Sequence, residues 1–223
     1  MFQQLYSITL EGATALLVHQ DNLSWAETMK LYERDPANKK LTTPGDDRTP
    51  AWRWIGYLYF DGGRVVMPSD NLMTMLREGG SKVLKKGSET FKKQTQSGIN
   101  LDQQQWDLTV KGETISMDSI KDLIGNMEFI QHIETAEALG FELLVKRAKI
   151  GAAKHVRVRP MFREWTLTGS LTVLDDEMTG LKKPILDQIF RQAGALCGLG
   201  DWRPSSPKAS GTFGMFSHEI KKM

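Results

Sequence analysis

Apolar and polar residues alternate most regularly in two stretches of the chain, residues 4–12 and residues 163–174. In the first, Tyr6, Ile8 and Leu10 share one side, as Trp165 and Leu167 do in the second. A period of two is typical of a half-buried strand. Apolar or aromatic runs predict further strands at residues 55–60, 64–67, 106–110, 141–145 and 212–220.

Apolar residues that recur every three or four positions predict helices between these strands. Ser24, with Glu27 three residues later, predicts a capped helix through Leu31, and Ser69 predicts the start of another. Glycines stop or loosen that helix at 79–80, and several of the lysines that follow would share one face if the helix resumed. Further helical patterns cover residues 116–139 and 184–197.

This order of elements predicts an α+β protein, with an antiparallel sheet and helices on one face in the ferredoxin-like (RRM-like) arrangement. Residues 1–223 are interpreted as a single domain. Residues 21–54 are rich in turn formers and charge, and residues 103–140 add a largely helical pattern. Both segments are predicted to be insertions, thumb-like or helical.

Composition adds little about function but indicates a compartment. The formal net charge is only +2, and the single cysteine, Cys197, excludes an internal disulfide. That pattern fits a reducing environment, and an apolar helical setting suggests that Cys197 is a small core residue. No signal-like segment and no apolar run of membrane-spanning length occurs, so we expect a cytoplasmic protein without a membrane partner.

Basic residues are concentrated in two places. Five lysines between residues 77 and 93 either form a solvated face or contact phosphates: Lys82, Lys85, Lys86, Lys92 and Lys93. Residues 146–163 hold seven Lys or Arg and no acidic residue. There, Arg157 and Arg159 lie on one side of an extended segment, and we expect them to face a polyanion unopposed by carboxylates.

A glycine-rich loop follows the last predicted helix. Gly198 and Gly200 precede it, and Gly211 and Gly214 follow it, where the chain turns sharply or another backbone approaches. Within the loop, Arg203 offers a planar cation suited to phosphate.

Three tryptophans, Trp52, Trp54 and Trp202, are candidates for base stacking. For Trp202, packing of the loop is the alternative.

Candidates for catalysis are few. Asp46 and Asp47 are adjacent carboxylates in a polar loop, and His19 ends an apolar run. Solvation explains the two aspartates most simply, and a structural role explains the histidine. The chain lacks His/Cys metal spacing, a P-loop and a nucleophile elbow, so no metal, cofactor or catalytic residue is assigned.

The run RPMFREWTLTGSLTV, followed by AGALCGLGDWRP and FGMF, resembles the C-terminal half of the RAMP superfamily. These are ferredoxin-like, RRM-like proteins that include CRISPR backbone subunits. The same run is similar to uncharacterised phage and prophage proteins. Residues 155–220 carry the resemblance, with a looser likeness at 5–20 and 55–80. Asp201 to Pro204 depart from the RAMP pattern by interrupting the glycine loop.

The resemblance implies binding of single-stranded RNA, and the matching positions are the glycine loop and the basic residues Lys82, Lys85 and Lys86. Gly198 and Gly200 are therefore also candidates for nucleic-acid contacts. The resemblance also implies self-association along the strand, and other subunits of a complex are possible partners.

Our hypothesis is a non-catalytic protein of a prokaryotic or phage-infected cell that binds single-stranded RNA or DNA. Two alternatives stay open. One is a RAMP-type RNA endonuclease that uses Asp46, Asp47 or His19. The other is a phage-encoded protein that mimics or inhibits a CRISPR-type assembly.

Overall fold

The computed structural model describes residues 3–150, 153–207 and 209–223. Contacts divide the chain into two compact units. The first unit comprises the chain up to Leu16, Val66–Thr114 and the chain from Arg163, and the second comprises Leu17–Val65 and Ile115–Phe162. The predicted insertion 21–54 lies wholly within the second unit, and the predicted insertion 103–140 belongs to it only from Ile115 onward. Whether they interrupt a single RAMP-like domain stays a prediction.

The described residues form a mixed α+β structure. Its strands are β1 (Gln4–Gly12), β2 (Leu16–Leu17), β3 (Phe60–Asp61), β4 (Arg64–Pro68), β5 (Leu84–Lys86), β6 (Glu89–Thr90), β7 (Ile99–Leu101), β8 (Gln105–Val110), β9 (Glu113–Thr114), β10 (Glu142–Ile150), β11 (Ala153–Phe162), β12 (Trp165–Val173) and β13 (Phe216–Lys222). Its α-helices are α1 (Leu23–Arg34), α2 (Ser69–Gly80), α3 (Lys92–Gly98), α4 (Phe129–Ala138), α5 (Asp176–Thr179) and α6 (Lys183–Gln192).

A large antiparallel sheet organises the first unit, in the order β13-β1-β12-β8-β4. The central pair, β1 and β12, sets Tyr6 opposite Leu171 and Ile8 opposite Gly169. A side chain at Gly169 would lie 2.5 Å from the ring of Trp106, so glycine is needed there for close packing. The strands predicted from strict alternation are therefore confirmed.

One face of this sheet is apolar, because alternate residues of β1, β8 and β12 are buried. Helices α2 and α6 supply further buried side chains. Gly79 of α2 lets α6 approach closely, since a Cβ there would lie 2.7 Å from the carbonyl oxygen of Ile189. After α6, a π-helical turn places Cys197 in the core, where burial raises the pKa of its thiol to about 11. The interpretation of Cys197 as a core residue is confirmed.

The second unit has a different architecture. β10 and β11 form a long antiparallel hairpin, and α1, α4 and the 3₁₀ helix Ala51–Tyr57 surround part of its core. Trp54 lies there, fully buried, with its ring 5.7 Å from that of Phe141. His132 of α4 is also fully buried and bonds to Trp54.

Some sequence predictions for these elements were wrong. The strand expected at 55–60 is the end of the 3₁₀ helix and a short following segment. The side chain that caps α1 is Asn22, which accepts from the backbone N–H of Trp25, and not Ser24. Ser69 begins α2 without capping it, since Pro68 is the cap residue. After Gly80 the chain forms the β5–β6 hairpin, so the condition under which the following lysines would share one helical face is not met there.

Candidate functional site

A polar loop in the second unit adds a short third strand-like segment to β11. The N–H of Asp47 donates to the carbonyl of Val156 at 3.0 Å, and the N–H of Val156 donates to the carbonyl of Gly45 at 2.9 Å. Gly45 has φ of +79°, and a Cβ there would lie 2.4 Å from Nδ1 of His155. Glycine is therefore required where this loop docks.

Docking places Asp47 between the two arginines of β11. Nη1 of Arg157 donates to Oδ1 of Asp47 at 2.8 Å, and Nη1 of Arg159 lies 3.3 Å from Oδ2. The N–H of Val158 donates to the same Oδ2 at 3.2 Å. The Asp47 side chain is only 4% exposed, so this carboxylate is a buried counter-charge. The expectation that Arg157 and Arg159 are unopposed by a carboxylate was wrong, as was the solvated interpretation of Asp47.

Arg159 also stacks on an aromatic ring. Its guanidinium carbon lies 4.9 Å from the ring centroid of Tyr57, within the range of a cation–π contact. Burial, reinforced by the charge of Asp47, raises the pKa of Tyr57 to about 12 in spite of the neighbouring arginines. With 12% of its side chain exposed, Arg159 is committed to this internal network. Arg157, at 28%, retains an accessible edge.

A cavity of about 510 Å³, open to solvent, lies beside Arg157 and is lined in part by the loop that carries Asp46 and Asp47. Its charged lining includes Arg157, Arg53 and Lys39 together with Glu33 and Asp46. Arg53 pairs with Glu33, and Asp46 pairs with Arg48 through a 2.7 Å contact. The bond to Arg48 lowers the pKa of Asp46.

His155 and Thr42 complete much of the polar wall of the cavity. Sequence reasoning missed Glu33, Lys39, Arg53 and His155, because no local pattern relates α1, the following loop and β11.

A second charged feature lies in the first unit, on the turn after α2, the β5–β6 hairpin and the start of α3. Its members are the five predicted lysines, Lys82, Lys85, Lys86, Lys92 and Lys93, and all five are exposed. We call this set the lysine patch. Among the ion pairs of the described residues, only a loose 3.8 Å contact between Lys85 and Glu89 involves the patch. The patch therefore presents a net positive surface to solvent.

The glycine-rich loop of the first unit is closely packed on itself. Gly198 and Gly200 have φ of +71° and +78°, as the prediction of sharp turns requires. A Cβ at Gly198 would lie 2.7 Å from the ring of Pro204, and one at Gly214 would lie 1.8 Å from the carbonyl oxygen of Leu199. The space beside Gly198 is thus filled by the loop and is not available to a phosphate.

Arg203 holds this loop together instead of facing outward. It donates from Nε to Ser205 at 3.0 Å, from Nη1 to the Gly200 carbonyl at 3.3 Å and from Nη2 to Glu78 at 3.2 Å. The prediction that Arg203 binds phosphate is not supported by this geometry. Trp202 is half-buried, with its ring 6.4 Å from that of Phe213, so it packs the loop while keeping some exposed surface.

Trp52 and Trp54 are inaccessible to a base. They are 5% and 0% exposed. Trp52 is held edge-on by Trp25 and Tyr32, at 5.5 Å and 5.3 Å between ring centroids. Both tryptophans belong to the core of the second unit, which corrects the prediction that they stack bases.

The remaining candidate for catalysis is His19. His19 is exposed, with its ring edge-on to Tyr57 at 4.7 Å. Over residues 3–150, 153–207 and 209–223, no three His, Cys, Asp or Glu side chains are grouped so that they could hold a metal ion. Within the same ranges, no helix has the length and apolar character needed to cross a membrane.

The chain matches no protein-family model, and no curated protein is significantly similar to it.

Proposed function

We propose that this protein binds single-stranded RNA or DNA without catalysing a reaction on it. The observation that carries the proposal is the lysine patch. Five exposed lysines within twelve residues face solvent with one loose carboxylate contact. Binding to phosphates releases counterions condensed on the nucleic acid, which is the main source of sequence-independent affinity.

The sheet of the first unit supports this proposal. We propose a ferredoxin-like fold for this unit, and the order β13-β1-β12-β8, with α2 before β8 and α6 before β13, supports that proposal. RRM domains, which share that fold, bind single-stranded RNA on such sheets. The same order agrees with the resemblance to RAMP proteins. By that analogy, several copies of the protein assemble along one strand.

The burial and contacts described above change the residues that we assign to this binding. In the first unit we assign phosphate contacts to the lysine patch and base contacts to the exposed part of Trp202. In the second unit we assign a separate phosphate contact to the accessible edge of Arg157. Arg159, Arg203, Trp52 and Trp54 are assigned to the internal packing described above. A stacked base contributes about 1–3 kcal/mol, so a single stacking residue leaves most of the affinity to phosphate contacts.

The test is size-exclusion chromatography of the protein expressed in bacteria, with absorbance read at 260 and 280 nm before and after nuclease treatment. We expect a large, nuclease-sensitive peak rich in nucleic acid. The stripped protein should then bind fluorescent single-stranded oligonucleotides with an affinity that falls steeply with salt. A monomer that is free of nucleic acid and does not bind added oligonucleotides would overturn the proposal and favour a protein partner.

A further inference from the structure

The cavity beside Arg157 contains donors that lack acceptors. Nε and Nη2 of Arg157 have no hydrogen-bond partner among the described residues, because only its Nη1 reaches Asp47. Nε of Arg53 is buried and also lacks a partner. Lys39 is exposed and makes no ion pair within the described ranges. All three side chains line the same cavity.

The acceptors of this cavity are, in contrast, mostly occupied. Both oxygens of Asp47 accept bonds from β11, and both oxygens of Asp46 accept bonds from Arg48. Oε1 of Glu33 pairs with Arg53, which leaves Oε2 as the carboxylate oxygen without a partner in the described structure. The cavity therefore offers N–H groups to a ligand that carries several acceptor oxygens, and a carboxylate oxygen of Glu33 to a hydroxyl.

Asp47 fixes the geometry of the central donor. Because this carboxylate is buried and holds Nη1 of Arg157, the guanidinium plane is set before any ligand arrives. A pre-positioned guanidinium loses less conformational entropy on binding and suits the paired oxygens of a phosphate. The cavity volume of about 510 Å³ lies within the range of sites that hold small organic ligands.

We propose that this cavity binds a phosphate monoester of a nucleoside, with Arg157, Arg53 and Lys39 on the phosphate and Glu33 on a sugar hydroxyl. The phosphate monoester comes either from a free mononucleotide or from the 5′ end of a nucleic-acid strand. The two sources share this chemistry. The site belongs to the second unit and does not depend on the lysine patch.

Calorimetric titration with AMP and with adenosine tests the phosphate requirement. We expect AMP to bind about tenfold more tightly than adenosine, the effect of one or two charge-assisted hydrogen bonds. Lys39→Ala should weaken AMP binding severalfold, whereas Lys40→Ala should not, because Lys40 is also exposed but does not line the cavity. Arg157→Lys keeps the charge beside Asp47 and removes the fork, so it should reduce AMP affinity while the protein stays folded.

The same variants distinguish the two sources. If a 5′-phosphate strengthens oligonucleotide binding in the wild type and in Lys40→Ala but not in Lys39→Ala, the ligand is a strand end. If AMP binding depends on Lys39 while the 5′-phosphate has no effect, the ligand is a free mononucleotide.

Equal affinity for AMP and adenosine, together with no effect of the 5′-phosphate, overturns the proposal. Equal behaviour of the Lys39 and Lys40 variants overturns it as well. Neither result bears on nucleic-acid binding by the lysine patch, since a variant of the patch should bind AMP like the wild type.

Discussion

Nε1 of Trp54 donates a hydrogen bond of 3.0 Å to Nδ1 of His132, although 78 residues separate them in the chain. Because an indole N–H can only donate, Nδ1 must carry a lone pair. The proton then resides on Nε2, which donates to the carbonyl of Asn126 at 2.9 Å. The second unit is thus built around a neutral imidazole of one defined tautomer.

This arrangement predicts a loss of stability in mild acid. Burial lowers the pKa of His132 below its usual value, and the bond to Asn126 offsets this only in part. In the unfolded chain His132 takes up a proton near pH 6.5, whereas in the folded protein it stays neutral at that pH. The folded state therefore keeps its full stability above about pH 6.5 and loses stability as the pH falls below it. We expect the free energy of unfolding to drop by about 1 kcal/mol per unit of pKa shift.

Urea unfolding of the wild type and of His132→Gln, at pH values on either side of about 6.5, measures this effect. A variant is needed because burial also lowers the pKa of His218, which contributes in the same direction. The wild type should lose more stability on acidification than His132→Gln. Parallel pH dependence of the two proteins would contradict the assignment.

The buried carboxylate of Asp47 predicts a large difference between two adjacent residues. Asp47→Asn leaves Arg157 and Arg159 without their counter-charge, and we expect it to destabilise the protein by about 2–3 kcal/mol, because both arginines keep some solvent. Asp46→Asn is the matched control. Its partner Arg48 is 46% exposed, and such pairs contribute about 0–1 kcal/mol. Similar urea midpoints for the two variants would refute the role of Asp47.

The lysine patch predicts a change in salt dependence. Replacing Lys82, Lys85 and Lys86 together with alanine should weaken oligonucleotide binding and reduce the slope of log affinity against log salt by about 2, at about 0.7 per phosphate on a single strand. Fluorescence anisotropy over a salt series measures both quantities.

The control for that variant removes the same charge elsewhere. Lys30, Lys121 and Lys182 each pair with a neighbouring carboxylate at 2.9–3.0 Å, so they have less to offer a phosphate. Alanine at these three positions should leave the slope nearly unchanged. If both triple variants shift it equally, net charge accounts for binding and the patch does not.

The packing of the glycine loop predicts unequal costs for two glycine substitutions. Gly214→Ala introduces a strained φ of +70° and a Cβ 1.8 Å from the carbonyl oxygen of Leu199. Gly112→Ala, also in the first unit, introduces a similar strain at φ of +86° but meets no atom within 4 Å. The strain alone costs about 1–2 kcal/mol. Thermal unfolding should show a clearly larger loss for Gly214→Ala, and equal losses would mean that the loop relaxes freely.

Local pattern was sufficient to predict the sheet of the first unit. Strands β1, β8 and β12 each bury one face, and a period of two identifies such strands without knowledge of their partners. Residues 55–60 were misassigned for the opposite reason. A short apolar run buried on several sides has no period, and the choice between strand and 3₁₀ helix depends on neighbours far along the chain.

The charged sites depend even more strongly on residues that are distant in the sequence. The lysines of the patch are exposed, as a local excess of lysine over carboxylate predicts, and only Lys85 has a loose contact with a neighbouring carboxylate among the described ion pairs. Arg157 and Arg159 were misjudged because Asp47, their counter-charge, lies 110 residues before Arg157. A count of local charge cannot detect such a partner. The cavity beside them was missed for the same reason.

The position of β1 has a consequence for synthesis on the ribosome. Both of its neighbours are made much later, β12 at Trp165–Val173 and β13 at Phe216–Lys222. This strand, which has one apolar face, therefore leaves the exit tunnel before either of its hydrogen-bonding partners exists. Both of its edges stay unpaired while more than half of the polypeptide is translated. During that interval its open edges can capture strands of other nascent chains. We therefore expect the nascent chain to benefit from a chaperone that binds β1 until β12 and β13 have been made.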